Sequence, residues 1–308
     1  MTNPCLSPIK PSLVTQLVAV AALSMAAAAP TWAQSGNALR DQVQAREAER
    51  AARFGVPQQP SGGPVTEVVG GDDAKPGRWP FMVALLDKSK TSNFEAQFCG
   101  GSLISKRDVL TAAHCAFPSD AGSIQVLVGT QDLKNGGRRI NVTRVTQHPS
   151  YGSAKADSDV AVLRLAEEVT DITPVVFMTT LAEEKKYAPV DRVSFGMGWG
   201  ETETSPHFPS LLQEVKLPIV DRAVCNGPDS YNGQIDRTMI CAGYQEGRMD
   251  TCNEDSGGPL VVKDASKNWH LQVGVVSWGK GCAEPNYYGV YSRLATLGAW
   301  VEEQVAVP

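Results

Sequence analysis

The chain has little that would suit a membrane, a nucleic acid or a metal ion. Its one long apolar stretch, Leu13 to Ala29, falls short of the ~20 residues of a transmembrane helix and is interrupted by Thr15, Gln16 and Ser24. Lys10 before that stretch and Thr31-Trp32-Ala33 after it have the layout of an export signal with a small-x-small cleavage site. Residues 1–33 are therefore expected to be removed, leaving no membrane segment and a secreted product, extracellular or periplasmic. A formal net charge of −5 with the two signs interspersed offers no basic footprint for nucleic acid. The four histidines, His114, His148, His207 and His270, lie too far apart for ligand spacing, so neither a metal nor a cofactor is expected.

What is present is a globular core and a set of cysteines. Hydrophobic residues make up 42% of the 308 positions, enough to bury a core of ordinary size. Of seven cysteines, Cys5 precedes the apolar stretch and leaves with the signal. The other six enter an oxidising compartment, where they pair, although sequence alone does not choose the pairing. Residues 34–67 look like a propeptide. Asn37 to Phe54 is rich in Ala, Arg, Glu and Gln and suits a helix, but its apolar spacing is sparse. Gly55 to Pro64 is a turn-rich linker that cannot pack a core. Beyond it, short runs such as Ile124–Val128, Arg139–Val142 and Leu271–Val276 alternate with Gly, Pro, Asn and Asp, the signature of an all-β barrel or sandwich. Leu294, Leu297, Trp300, Val301 and Val305 recur at near-helical spacing, which predicts a C-terminal helix packed on the second half of the domain.

Three segments carry chemistry. Thr251-Cys252-Asn253-Glu254-Asp255-Ser256-Gly257-Gly258-Pro259 exposes one hydroxyl at a glycine-rich turn. Thr111-Ala112-Ala113-His114-Cys115 sets a histidine after the strand-like run Ser102 to Leu110. Asp157-Ser158-Asp159 opens the alternating run Val160 to Leu165. A serine hydroxyl is a weak nucleophile until an imidazole takes its proton and a carboxylate orients that imidazole. His114, Asp159 and Ser256 supply one of each, in that order along the chain.

With Gly101-Ser102-Leu103-Ile104, Gly198-Trp199-Gly200, Val276-Ser277-Trp278-Gly279 and Gly289-Val290-Tyr291, the region from Val68 to Val305 resembles the trypsin-like (chymotrypsin-fold) serine peptidases. The resemblance implies two six-stranded antiparallel β-barrels followed by the C-terminal helix, in a domain covering 68–308. His114 and Asp159 would come from the first barrel and Ser256 from the second. It implies the disulfides Cys99–Cys115, Cys225–Cys241 and Cys252–Cys282. Asp250, six residues before Ser256, would form the floor of a specificity pocket for Lys or Arg, with Thr251, Ser277, Gly279 and Gly289 beside it. Ala156 would leave the second subsite open. Protein or peptide substrates with Arg or Lys, protein inhibitors and an activating protease are the implied partners.

Val68-Val69-Gly70-Gly71 resembles the new N-terminus that family zymogens gain on cutting, whose ammonium would pair with a buried Asp255. Two departures stand out. Glu67 precedes the cut where the family commonly has Arg or Lys, which implies a different activating protease or an upstream cut such as one beside Arg53. Glu254, whose backbone N–H would form the oxyanion hole with that of Ser256, replaces a near-invariant glycine of the family. A side chain there strains the donor geometry, and losing one such donor costs about 10²–10³ in rate. An attenuated peptidase acting as a binding module is therefore the alternative to an active one. The loop at Asn135-Gly136-Gly137 lacks an acidic pair for calcium, and Asn141-Val142-Thr143 is a glycosylation sequon.

Overall fold

The computed structural model describes residues 40–45, 71–116, 120–152, 157–200, 208–247, 255–264, 269–280 and 284–306. Six strands close the first barrel: β2 (Met82–Asp87), β3 (Gln97–Leu103), β4 (Asp108–Thr111), β5 (Ile124–Val128), β6 (Arg138–Gln147) and β7 (Ala161–Leu165). They pair antiparallel in the order β2-β3-β4-β7-β6-β5. Closure removes the exposed edges that an open sheet of these apolar strands would present. The side chains of Met82–Asp87 are all buried, whereas β6 alternates, with Ile140 and Val142 inward and Asn141 and Thr143 outward.

The second barrel uses β9 (Val193–Gly198), β10 (Gln213–Val220), β11 (Met239–Ala242), β12 (Pro259–Asp264), β13 (Trp269–Trp278) and β14 (Gly289–Arg293). The path β10-β11-β14-β13-β12-β9 closes through a β9–β10 pairing. The two-residue strands β1 (Asp72–Asp73) and β8 (Val176–Phe177) add to its outside, β1 on β10 and β8 on β13. The expected pair of six-stranded barrels is the observed architecture.

One stretch differs from the sequence reading. Ser102 to Leu110 suggested a single strand, but it holds the end of β3, a turn at 104–107 and the start of β4. Asp108 N and Ile104 N close the turn on Ser105 Oγ (2.9 Å) and Asp108 O (2.9 Å), and Ser105 Oγ also meets Asp108 Oδ2. Arg164 then pairs with the buried Asp108 carboxylate at 2.7 Å. The polar stretch Ser105–Asp108 makes the turn through local serine–aspartate bonds.

The C-terminal helix, Leu294–Val305, buries Leu294, Leu297, Gly298 and Val301 on one face, matching the predicted spacing. A Cβ on Gly298 would lie 2.0 Å from Met178 O, so the helix approaches that backbone as only glycine permits. It also reaches the first barrel, because Trp300 packs on His148 at a ring separation of 4.8 Å. Within the expected propeptide, 40–45 is helical and buries Val43 in the core, while the Arg40 guanidinium donates to Gln97 O and stacks over Phe208. One apolar residue is enough to seat this segment despite its sparse pattern.

Candidate active site

His114 begins a 3₁₀ turn, His114–Ala116, separated from β4 by Ala112 and Ala113 and set between buried neighbours. Cys115 in that turn is tied to Cys99 of β3, with a Cα–Cα separation of 6.2 Å, and Gln147 Nε2 donates to Ala113 O at 3.0 Å. Asp159 lies two positions before β7, in a connector pinned by Asp159 N to Asp157 O at 2.9 Å. Both side chains are wholly excluded from solvent. His114 Nδ1 lies 2.8 Å from Asp159 Oδ2, and His114 N donates to Asp159 Oδ1 at 3.0 Å. Ser277 Oγ adds a third donor to the carboxylate, at 2.7 Å. A buried carboxylate needs such donors to stay charged. With Nδ1–H committed to Asp159, the neutral ring presents Nε2 as a base.

Ser256 sits in a tight turn that both barrels hold. Gly100 N of β3 donates to Ser256 O at 2.8 Å, and Gly257 N donates to Val276 O of β13 at 3.0 Å. Gly257 has φ +80°, and a Cβ there would lie 2.2 Å from Thr111 Oγ1. Only glycine fits. The turn therefore abuts Thr111 and Ala112, the residues that lead into His114. Next to Ser256, the Asp255 carboxylate is 2% exposed and folds beneath β9, accepting from Gly200 N at 2.8 Å. A Cβ on Gly198 would come within 2.0 Å of Asp255 Oδ1, so that glycine makes room for the carboxylate.

A buried His–Asp pair from one barrel against a glycine-held serine turn from the other narrows the families sharply. The model of the family described as Trypsin matches residues 68–301. The chain belongs to the trypsin family. Trypsin 5G1 of Aedes aegypti is 39% identical over 77% of this chain and 84% of its own length. Transmembrane protease serine 5 and transmembrane protease serine 11B of Homo sapiens are each 36% identical, over 77% and 78% of this chain. The chain spans only 51% and 56% of those two human relatives. Among the described residues no helix is long and apolar enough to cross a membrane.

In this trypsin-family chain the expected pocket is described in part. Ser277 is the extra residue of a bulge in β13, where the register with β14 shifts between Val276 and Trp278. The bulge aims its hydroxyl at Asp159. Gly279 follows the last residue of β13 and Gly289 opens β14, each next to the Trp278–Val290 pair. Val68, Ala156, Asp250, Thr251, Glu254 and the pair Cys252–Cys282 lie outside the described residues. The second disulfide expected, Cys225–Cys241, is formed.

Three polar residues that the sequence did not single out support the site. Tyr231, 1% exposed, donates to Tyr288 O at 2.8 Å and accepts from Lys280 N at 3.1 Å, bracing the segments next to Gly279 and Gly289. Gln272 accepts from Ser102 Oγ at 2.7 Å across the two barrels. Ser292 of β14 donates to Asp159 O, also at 2.7 Å. Gln272 and Ser292 are polar residues beside apolar strand neighbours, whereas Tyr231 lies in the polar stretch 227–234, where sequence offers no signal. Cys99, His114 and Cys115 are close enough to resemble a metal cluster, but both sulfurs are consumed in the disulfide.

Proposed function

We propose that the chain is a secreted serine endopeptidase cleaving after Arg or Lys through an acyl-enzyme intermediate. His114 Nε2 takes the Ser256 proton as the hydroxyl attacks the scissile carbonyl, and Asp159 stabilises the imidazolium that forms. The same imidazolium then protonates the leaving amine, and a second cycle with water releases the acyl group. The N–H groups of Glu254 and Ser256 stabilise the oxyanion, and Asp250 selects the basic side chain with Thr251, Ser277, Gly279 and Gly289 shaping the slot. The observation that carries this reading is the buried His114–Asp159 pair with Ser277 on its carboxylate, set against the Ser256 turn.

On this reading residues 1–33 direct export, 34–67 are a propeptide, and 68–308 form the peptidase domain, active once Val68 is freed to pair with Asp255. The buried carboxylate beneath Gly198–Gly200 supports that assignment for Asp255. The test is to sequence the N-terminus of the mature secreted protein and assay it on Arg, Lys, Phe and Glu peptides. A start at Val68 and turnover of Arg and Lys substrates, abolished by Ser256→Ala and by Asp250→Ser, are expected. A different start sinks the activation scheme, and retained Arg cleavage by Asp250→Ser sinks the pocket assignment. If the parent is inactive and Glu254→Gly restores turnover, the attenuated alternative holds instead.

A further inference from the structure

We propose that Ser292 is a positioning residue for the Asp159 carboxylate, acting through the Asp159 main chain from the opposite barrel. The proposal rests on the reading of His114, Asp159 and Ser256 as the reacting set. Asp159 stands on a connector before β7 and not within a strand, so the sheet ladder does not fix its carbonyl. Ser292 Oγ does, at 2.7 Å, from a residue 133 positions away and 1% exposed.

The donor is built into the sheet. Ser292 pairs with Val275 of β13 on one side and Met239 of β11 on the other, and its chain neighbour Tyr291 is wholly buried. A hydroxyl among such residues is costly unless its hydrogen bond is made. Ser292 has one proton to donate, and it goes to Asp159 O. Ser277 stands two residues beyond Val275 on the bulged β13 and donates to Oδ2 of the same aspartate. Two hydroxyls from adjacent strands therefore hold one residue at both ends, one on the carbonyl and one on the carboxylate. Without the Ser292 bond the Asp159 carbonyl loses its hold from the opposite barrel, and the carboxylate is less well aligned with His114 Nδ1.

The test uses the activated protein and the variants Ser292→Ala, Ser292→Thr and Ser292→Cys. Ser292→Ala is expected to lower kcat about three- to ten-fold, the scale of one hydrogen bond, with KM unchanged. The acid limb of its kcat/KM profile should move to lower pH, because a less well held carboxylate supports the imidazolium less. Ser292→Thr keeps the hydroxyl and should retain the parent kcat and acid limb. If Ser292→Ala does not fold, Ser292→Cys, whose thiol is a weak donor, carries the same expectation in smaller measure. A lower melting temperature with unchanged kcat and acid limb would overturn the proposal, as would a Thr variant no better than Ala. Ser256→Ala run alongside separates the two layers. If it keeps turnover, the reacting set itself is wrong and the proposal falls with it. If it is inactive while Ser292→Ala and Ser292→Cys match the parent, only the role of Ser292 is lost.

Discussion

The two barrels hold their contributions to the cleft by different means. The first supplies His114 and Asp159 as wholly buried side chains fixed by hydrogen bonds and by the Cys99–Cys115 bond in the turn itself. The second supplies Ser256 on a glycine turn whose shape comes from backbone bonds and close approach. A charge-bearing pair needs partners for its polar atoms, whereas the turn of Ser256, a residue only 4% exposed, takes a shape that Gly257 permits. The difference teaches that substitutions in the first half should act through electrostatics, and those in the second through conformation.

The largest effect tests both halves together. His114→Ala and Ser256→Ala should each remove about 10⁴-fold or more of kcat, a magnitude that belongs to the best-studied members of this family. Combining them should cost little more than either alone, because the residues act as a unit. Additive losses in steady-state kinetics would break the comparison at its root.

Gly257→Ala isolates the conformational half. Its φ of +80° and a Cβ placed 2.2 Å from Thr111 Oγ1 should destabilise the fold by about 2–4 kcal/mol and reduce kcat far more than KM. Denaturant unfolding and steady-state assays check both, and wild-type stability would mean that the turn is not held as described.

A sharper comparison comes from the two described disulfides, each closing a separation of 16 residues. Loop-closure entropy predicts nearly equal losses, about 3 kcal/mol each, when either pair is changed to serine. Location predicts unequal kinetics. Removing Cys99–Cys115 should lower kcat at temperatures where the protein is folded, while removing Cys225–Cys241 should change stability alone. Equal kinetic effects would show that the bond beside His114 serves only as a staple.

The smallest effect concerns two histidines outside the cleft, one in each half. Burial holds both His148 and His270 below the ordinary histidine value of 6.5, with the Lys263 and Arg78 charges adding to the shift at His270. His270 packs on Trp79 at a ring separation of 4.7 Å, with its Nε2 buried and unpartnered. Both rings are neutral in the folded and unfolded states above pH 6.5. As pH falls through 6.5 the unfolded chain takes up protons first, so stability is lost from there down to the folded values. Thermal melts of His270→Phe and His148→Phe between pH 5 and 8 should each show a shallower loss than the parent, and parallel curves would contradict the burial argument.

Sequence made the architecture legible where periodicity and burial coincide, as in Ile124–Val128 and Leu294–Val305. The candidate site was legible through residue types that stand out locally, His114 beside a cysteine and Ser256 between an acid and glycines. It hid what depends on distant partners. Nothing in the neighbourhood of Ser292, Gln272 or Tyr231 says that a buried hydroxyl or amide meets a group across the cleft or under the pocket. The β3–β4 turn rests on the opposite kind of contact, bonds between Ser105 and Asp108 only three positions apart, within the polar stretch Ser-Lys-Arg-Asp.

The bond from Gly100 N to Ser256 O has a consequence for control. Together with Ser102–Gln272, Ser277–Asp159 and Ser292–Asp159 it makes the barrel interface a set of short, buried, directional bonds. A rigid-body hinge between the barrels would have to break them at once and would pull the Ser256 turn away from His114 and Asp159. Such a molecule is not suited to control by opening and closing like a two-lobed clamp, and motions confined to loops leave these bonds intact.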